Sequence, residues 1–163
     1  MNIIEFFRNL NQKKMNKTEL ATLRISMLIA ALDGDIDQSE LETFRALSEK
    51  CDDYSPAEVD AAFRETLRSA GYLMLLARVA DCETLLNNFL LEAEKMLPTL
   101  FDFGAGGINS AIALWTDMAK SDGDFAEIER QAIERLKILL ETRCQVQASA
   151  AGMGAPGYCI PGA

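Results

Sequence analysis

The chain contains no histidine. Catalytic triads with an imidazole base and zinc sites held by imidazole are therefore excluded. Cations are scarce: 16 Lys and Arg stand against 25 Asp and Glu, a formal net charge of −9. Phosphate contacts need clustered Lys and Arg, so nucleic acid is not an expected partner. The cysteines at 51, 82, 144 and 159 include no Cys-x-x-Cys pair for zinc or redox chemistry. Cys51 and Cys82 lie in apolar helical patterns and are expected to be buried free thiols. Only 7% of residues are aromatic, and no segment keeps a period-two alternation, so strands are not expected. The apolar-rich stretches Ile25–Leu32 and Tyr72–Ala80 are too short to span a bilayer. Glu5 and Arg8 interrupt the N-terminal segment where a signal peptide would be continuous and apolar. A cytoplasmic protein is expected.

What is present is helical periodicity. The 163 residues, 49% of them hydrophobic, suffice for one domain with a sizeable core. The segment 18–32 carries Leu20, Leu23, Ile25, Met27, Leu28 and Leu32 with few charges, the pattern of a helix buried on most of its circumference. Helix starts are well marked. Asn16 precedes Glu19 by three, Asp37 precedes Glu40 by three, and Ser55-Pro56-Ala57-Glu58 combines a cap, a first-position proline and a returning Glu. Gly71 is expected to separate a helix over 56–69 from a helical stretch over 72–97, with a break near Asp81 and a stop at Pro98. A loop is expected at 101–107, then helices over about 109–119 and 125–143. The glycine-rich run at 104–107 lacks the Lys and Ser/Thr of a nucleotide loop. Trp115, Met118 and Met74 are expected in the core, and Glu92, Glu94 and Lys95 on a solvated face. Residues 1–144 are read as one helical domain, with 1–14 an amphipathic N-terminal helix and 145–163 an irregular tail.

The informative feature is a repeat. Residues 33–40 read Asp-Gly-Asp-Ile-Asp-Gln-Ser-Glu, and residues 122–129 read Asp-Gly-Asp-Phe-Ala-Glu-Ile-Glu. Each follows an apolar helix and opens an amphipathic one. From Asp33 to Asp122 is 89 residues, too long for a solenoid period, which points to two helix-loop-helix units related by pseudo-twofold symmetry. Asp-Gly makes a tight turn. The large apolar residue, Ile36 or Phe125, is expected to face inward. Asp33, Asp35, Asp37 and Glu40, with Asp122, Asp124, Glu127 and Glu129, supply many oxygens near two helix starts, a donor set suited to a hard, calcium-like divalent cation. The order matches the second half of an EF-hand loop. The first half is missing, because Ile29 and Ala31, or Met118 and Lys120, stand where the first ligands belong. A site would therefore need the two half-loops to pool their acids. The same residues also read as turn formers and helix caps without metal.

The segments Ala30 to Glu40 and Met118 to Phe125, with Leu41, Phe44 and Leu47 after the first and Ile133 and Leu136 after the second, resemble the tellurite-resistance TerB-like family. The resemblance covers about residues 15–143. It implies an all-α fold of about seven helices in a compact bundle with internal pseudo-symmetry. It also implies acidic loops suited to a divalent metal, a non-enzymatic role, stress association, and assemblies near the inner face of the membrane. Ala126, where the first copy has Asp37, and Lys120 depart from the repeat.

Residues 1–17 carry Arg8, Lys13, Lys14 and Lys17 against Glu5, a local +3, opposite Ile3, Ile4, Phe6, Phe7 and Leu10. That segment suits packing on the domain or a partner, or a peripheral membrane contact. No nucleophile is paired with a base, so an enzyme is not expected. The expectation is a helical binding protein with a protein partner. Its acidic loops either hold a divalent metal or serve as caps in a metal-free scaffold.

Overall fold

The computed structural model describes residues 15–96, 104–121 and 127–150. Among these residues there are six helices: α1 Lys17–Ala31, α2 Gln38–Ser48, α3 Pro56–Val79, α4 Cys82–Glu94, α5 Gly104–Ser121 and α6 Glu127–Ala150. The only strand-like pairing among them is an isolated parallel bridge between Met15 and Cys51. The seventh helix expected at the N-terminus falls outside the described residues, as do the loop 122–126 and the tail beyond 150. No described helix is long and apolar enough to cross a membrane.

Three capping boxes form where the sequence places them. Glu19 N–H donates to Asn16 Oδ1 at 2.8 Å, Glu40 N–H to Asp37 Oδ1 at 2.7 Å, and Glu58 N–H to Ser55 Oγ at 3.2 Å. Each returning Glu accepts from the cap's own N–H, so two otherwise unpaired amides are satisfied at each start. Asp81 caps α4 by accepting from Thr84 N–H at 2.7 Å, which makes the expected break near Asp81 a helix start.

α1 is the central element. Eleven of its 15 residues are buried, and α3, α4, α5 and α6 all pack on it. Such a helix must satisfy its own polar side chains. Thr22 Oγ1 donates to Thr18 O and Ser26 Oγ to Thr22 O, each at about one turn's distance along the chain. α2 packs on α3, α3 on α4, and α4 and α5 on α6. The core runs from Leu23, Leu28 and Ile29 through Phe44 and Phe89 to Trp115 and Leu136, all fully enclosed. Polar links fix the layers. Ser69 Oγ donates to Glu92 Oε2 at 2.8 Å, joining α3 to α4. Arg135–Glu83 at 2.6 Å and Arg143–Glu94 at 2.8 Å join α6 to α4.

Several boundaries differ from the sequence reading. α3 runs unbroken through Gly71. An interior glycine costs about 1 kcal/mol relative to alanine, too little to break a helix that buries Val59, Phe63, Thr66, Ser69, Ala70 and Leu73. α5 begins at Gly104, within the expected loop, and α6 continues to Ala150, into the expected tail. Cys82 is exposed, because as the first residue of α4 it points away from the core; Cys51 is buried as expected. Glu92 is not solvated. Its side chain is 14% exposed and lies between Ser69 and Lys95. Trp115 is fully buried and Met74 partly so, while the side chain of Met118 lies outside the described residues.

Candidate functional site: the acidic loops

The first acidic loop is built by the turn that ends α1. Gly34 takes φ +85°, and its N–H donates to Ala31 O at 3.0 Å. A left-handed residue here lets the chain reverse out of the helix, which an L side chain would resist. Asp33 Oδ1 accepts from Asp35 N–H at 3.0 Å, a local turn that holds the first two acids together. Ile36 is half-buried against the core and anchors the loop. Asp37 then caps α2, and Glu40 Oε2 accepts from Asp37 N–H at 3.0 Å.

The Glu40 carboxyl senses the three aspartates beside it. Burial pushes the Glu40 carboxyl above its ordinary range. The hydrogen bond from Asp37 N–H opposes this, and the charges of Asp37, Asp33 and Asp35 push it further up. Like charges thus converge on a half-buried acid. Hydrogen bonds from backbone amides hold one oxygen each of Asp33, Asp37 and Glu40. Among the described residues, no group of three or more Asp, Glu or Cys has the geometry of a metal-ligand cluster.

The second loop is described only in part. Asp122, Asp124 and Phe125 lie outside the described residues. Glu127 is exposed and pairs along its own helix with Arg130 at 3.1 Å and Gln131 at 3.3 Å. Glu129, the counterpart of Glu40, is 8% exposed and therefore more deeply placed. The structure thus brings Asp33, Asp35, Asp37 and Glu40 into one loop and puts Glu129 at the edge of the core.

The sequence reading missed a second feature. A cavity of about 390 Å³ opens between the end of α2 and the start of α3, with Cys51, Tyr54, Val59 and Phe63 on its apolar side and Arg45 and Asp60 at its rim. The Arg45 guanidinium lies 4.9 Å from the Phe63 ring centroid and 3.4 Å from Asp60, so the rim is partly covered by a tethered cation. Burial pushes the Cys51 thiol up despite backbone hydrogen bonds at Asp53 and Tyr54, which makes it a poor nucleophile near neutral pH. The arginine four residues before Glu49 was the available sequence signal, but i,i+4 pairs are too common to mark a cavity.

No family model matches the chain, and no curated protein or solved structure matches it.

Proposed function

We propose that this chain is a non-enzymatic helical binding protein of the TerB-like kind, stress-associated and cytoplasmic. In this reading its acidic loops take a divalent, calcium-like cation and present a surface to a protein partner. The observation that carries it is the acidic loop itself, which sets Asp33, Asp35, Asp37 and Glu40 around the start of α2 and recurs in the sequence 89 residues on. The charges of the three aspartates push the Glu40 carboxyl up, and a divalent cation bound among them would offset that repulsion.

The relation of the two halves supports pooled loops. Trp115 Nε1 donates to Ser26 Oγ at 3.1 Å, and the two lie 89 residues apart, the interval of the acidic repeat. α1 then runs five residues past Ser26 to Ala31, and α5 six past Trp115 to Ser121. The described ends of α1 and α5 are each about 8 Å from that contact, measured along their own helices.

A metal-free scaffold is the second reading, favoured by the capping box at Asp37 and Glu40 and the turn at Asp33, which give these acids a structural task without a cation. Calorimetric titration of metal-stripped protein with calcium, magnesium and zinc separates the two, with Asp33→Asn/Asp122→Asn as the control. Saturable binding abolished in the double variant is the expected result. No heat of binding at millimolar ion overturns the cation reading and leaves the scaffold.

A further inference from the structure

The cavity between α2 and α3 has walls set by the core. Phe63 is packed on fully buried Phe44, with ring centroids 5.3 Å apart. The loop that brings Cys51 and Tyr54 to the wall is pinned to the start of α1. Met15 N–H donates to Lys50 O at 3.0 Å, Asp52 N–H to Met15 O at 3.3 Å, and Lys17 N–H to Asp53 Oδ2 at 2.8 Å. About 390 Å³ of preformed space, apolar on one side with a few charges at its mouth, has the size and build of a small-molecule site.

What the mouth already holds indicates the ligand it suits. The Arg45 guanidinium lies over the Phe63 ring, 4.9 Å from its centroid. Asp60 Oδ1 is 3.4 Å from Arg45 Nη2, and Glu49 Oε1 is 3.7 Å from Arg45 Nε. One aromatic ring and two carboxylates thus converge on one cation carried on an apolar stem. The hold on that cation is weak. Both ion-pair contacts are longer than a well-formed hydrogen bond, and Asp60 is shared with Arg64 at 3.0 Å. The Arg45 side chain is 57% exposed, so it can turn into water at little cost.

We propose that this cavity binds a small amphipathic cation, an aryl or alkyl body with a single ammonium or guanidinium head. The head takes the place of the Arg45 guanidinium at Phe63, Asp60 and Glu49, and the body fills the space against Cys51, Tyr54 and Val59. The exchange is like for like in charge, so neither carboxylate loses a counter-ion. It adds apolar burial that the arginine, tethered at the mouth, does not supply. An anionic head could pair with Arg45 only by sitting against Asp60 and Glu49, which repel it. A neutral head gains the wall alone. A free amine and a Lys or Arg side chain of another protein share this chemistry. The site goes beyond the acidic loops and needs no metal there.

The test titrates phenylbutylamine, phenylbutanol and phenylbutyrate, one skeleton with three heads, into the full chain and follows the methyl signals of Val59 by NMR. The amine is expected to shift them saturably and to bind about fivefold more tightly than the alcohol, with the carboxylate weakest. Arg45→Met removes the tethered cation and is expected to tighten amine binding about threefold. In that background, Glu49→Gln/Asp60→Asn is expected to bring the amine to within about twofold of the alcohol. Circular dichroism of each variant confirms that the helices are intact. N-acetyl-argininamide, run alongside, tells the two sources apart: tighter binding than the amine assigns the head to a protein side chain, and weaker binding to a free amine. Three results overturn the proposal: no saturable shift of Val59 by the amine, alcohol or carboxylate binding at least as tightly, or amine binding unchanged or weakened by Arg45→Met. The metal titration reads the acidic loops, so either test can fail without the other.

Discussion

Trp115 and Ser26 meet in the centre of the molecule, the indole N–H donating to a hydroxyl that itself donates to Thr22 O. Both residues are fully enclosed. The serine thus satisfies the largest side chain of the core and closes its own hydrogen bond within α1. Ser26→Ala leaves a buried indole N–H unpaired and is expected to cost about 1–3 kcal/mol. Trp115→Phe loses volume as well and is expected to cost about 2–4 kcal/mol. Urea denaturation of both singles and the double checks this, with a coupling of about 1 kcal/mol expected from the cycle.

Glu40 gives a pH dependence of defined sign. Its folded-state pKa lies above the unfolded value, chiefly through burial and then through the neighbouring acids. The folded chain therefore holds this proton more tightly than the unfolded one. The associated stability is complete below the unfolded pKa and is lost as pH rises through the folded pKa. Glu40→Gln keeps an acceptor for Asp37 N–H and removes the charge. It is expected to raise Tm at pH 7 and to leave Tm unchanged at pH 3, read by thermal melts across that range. Where a cation binds, calcium reverses the sign for the native chain by favouring the ionised acid.

Glu92 behaves in the opposite way. Burial pushes its carboxyl up, but hydrogen bonds from Lys95 and Ser69, with the Lys95 charge, outweigh burial and hold it below the ordinary value. Its contribution is present above the unfolded pKa and is lost as pH falls through the folded one. Glu92→Ala is expected to destabilise the α3–α4 pair by about 1–2 kcal/mol at pH 7 and less in acid, because Ser69 is left without its partner.

Gly34 and Gly71 respond in opposite directions to alanine. Gly71→Ala fills open space in a helix and is expected to stabilise by about 0.5–1 kcal/mol. Gly34→Ala forces a Cβ into φ +85° and is expected to destabilise by about 1 kcal/mol, although nothing crowds the position. Paired denaturation curves distinguish them.

Thiol accessibility separates Cys51 from Cys82. In a Cys144→Ser/Cys159→Ser background, an aromatic disulfide reagent is expected to label Cys82 within minutes and Cys51 only on unfolding.

The helical architecture was legible because its signals are local. Asn16, Asp37 and Ser55 each carry their returning Glu in the sequence, and each forms its capping box. The burial of α1 followed from its apolar run with few charges. What was not legible depended on tertiary context. Gly71 reads as a breaker until the buried residues on either side of it outweigh its propensity. Glu92 reads as solvated because its partner Ser69 is 23 residues away. Cys82 reads as buried from its apolar neighbours, but its place as the first residue after the Asp81 cap leaves it exposed. At the acidic loop, the sequence supplied Asp33, Asp35, Asp37 and Glu40. Their division between backbone hydrogen bonds and mutual repulsion needed coordinates.

The position of α1 has a consequence for synthesis. It is the first described helix to leave the ribosome, yet α3, α4, α5 and α6, which enclose it, follow later in the chain. Until they emerge, Leu23, Leu28 and Ile29 have no cover, and a nascent chain stalled before α3 exposes the apolar side chains of α1. Exposed in this way, α1 is the segment expected to drive aggregation of a truncated chain until the later helices close over it.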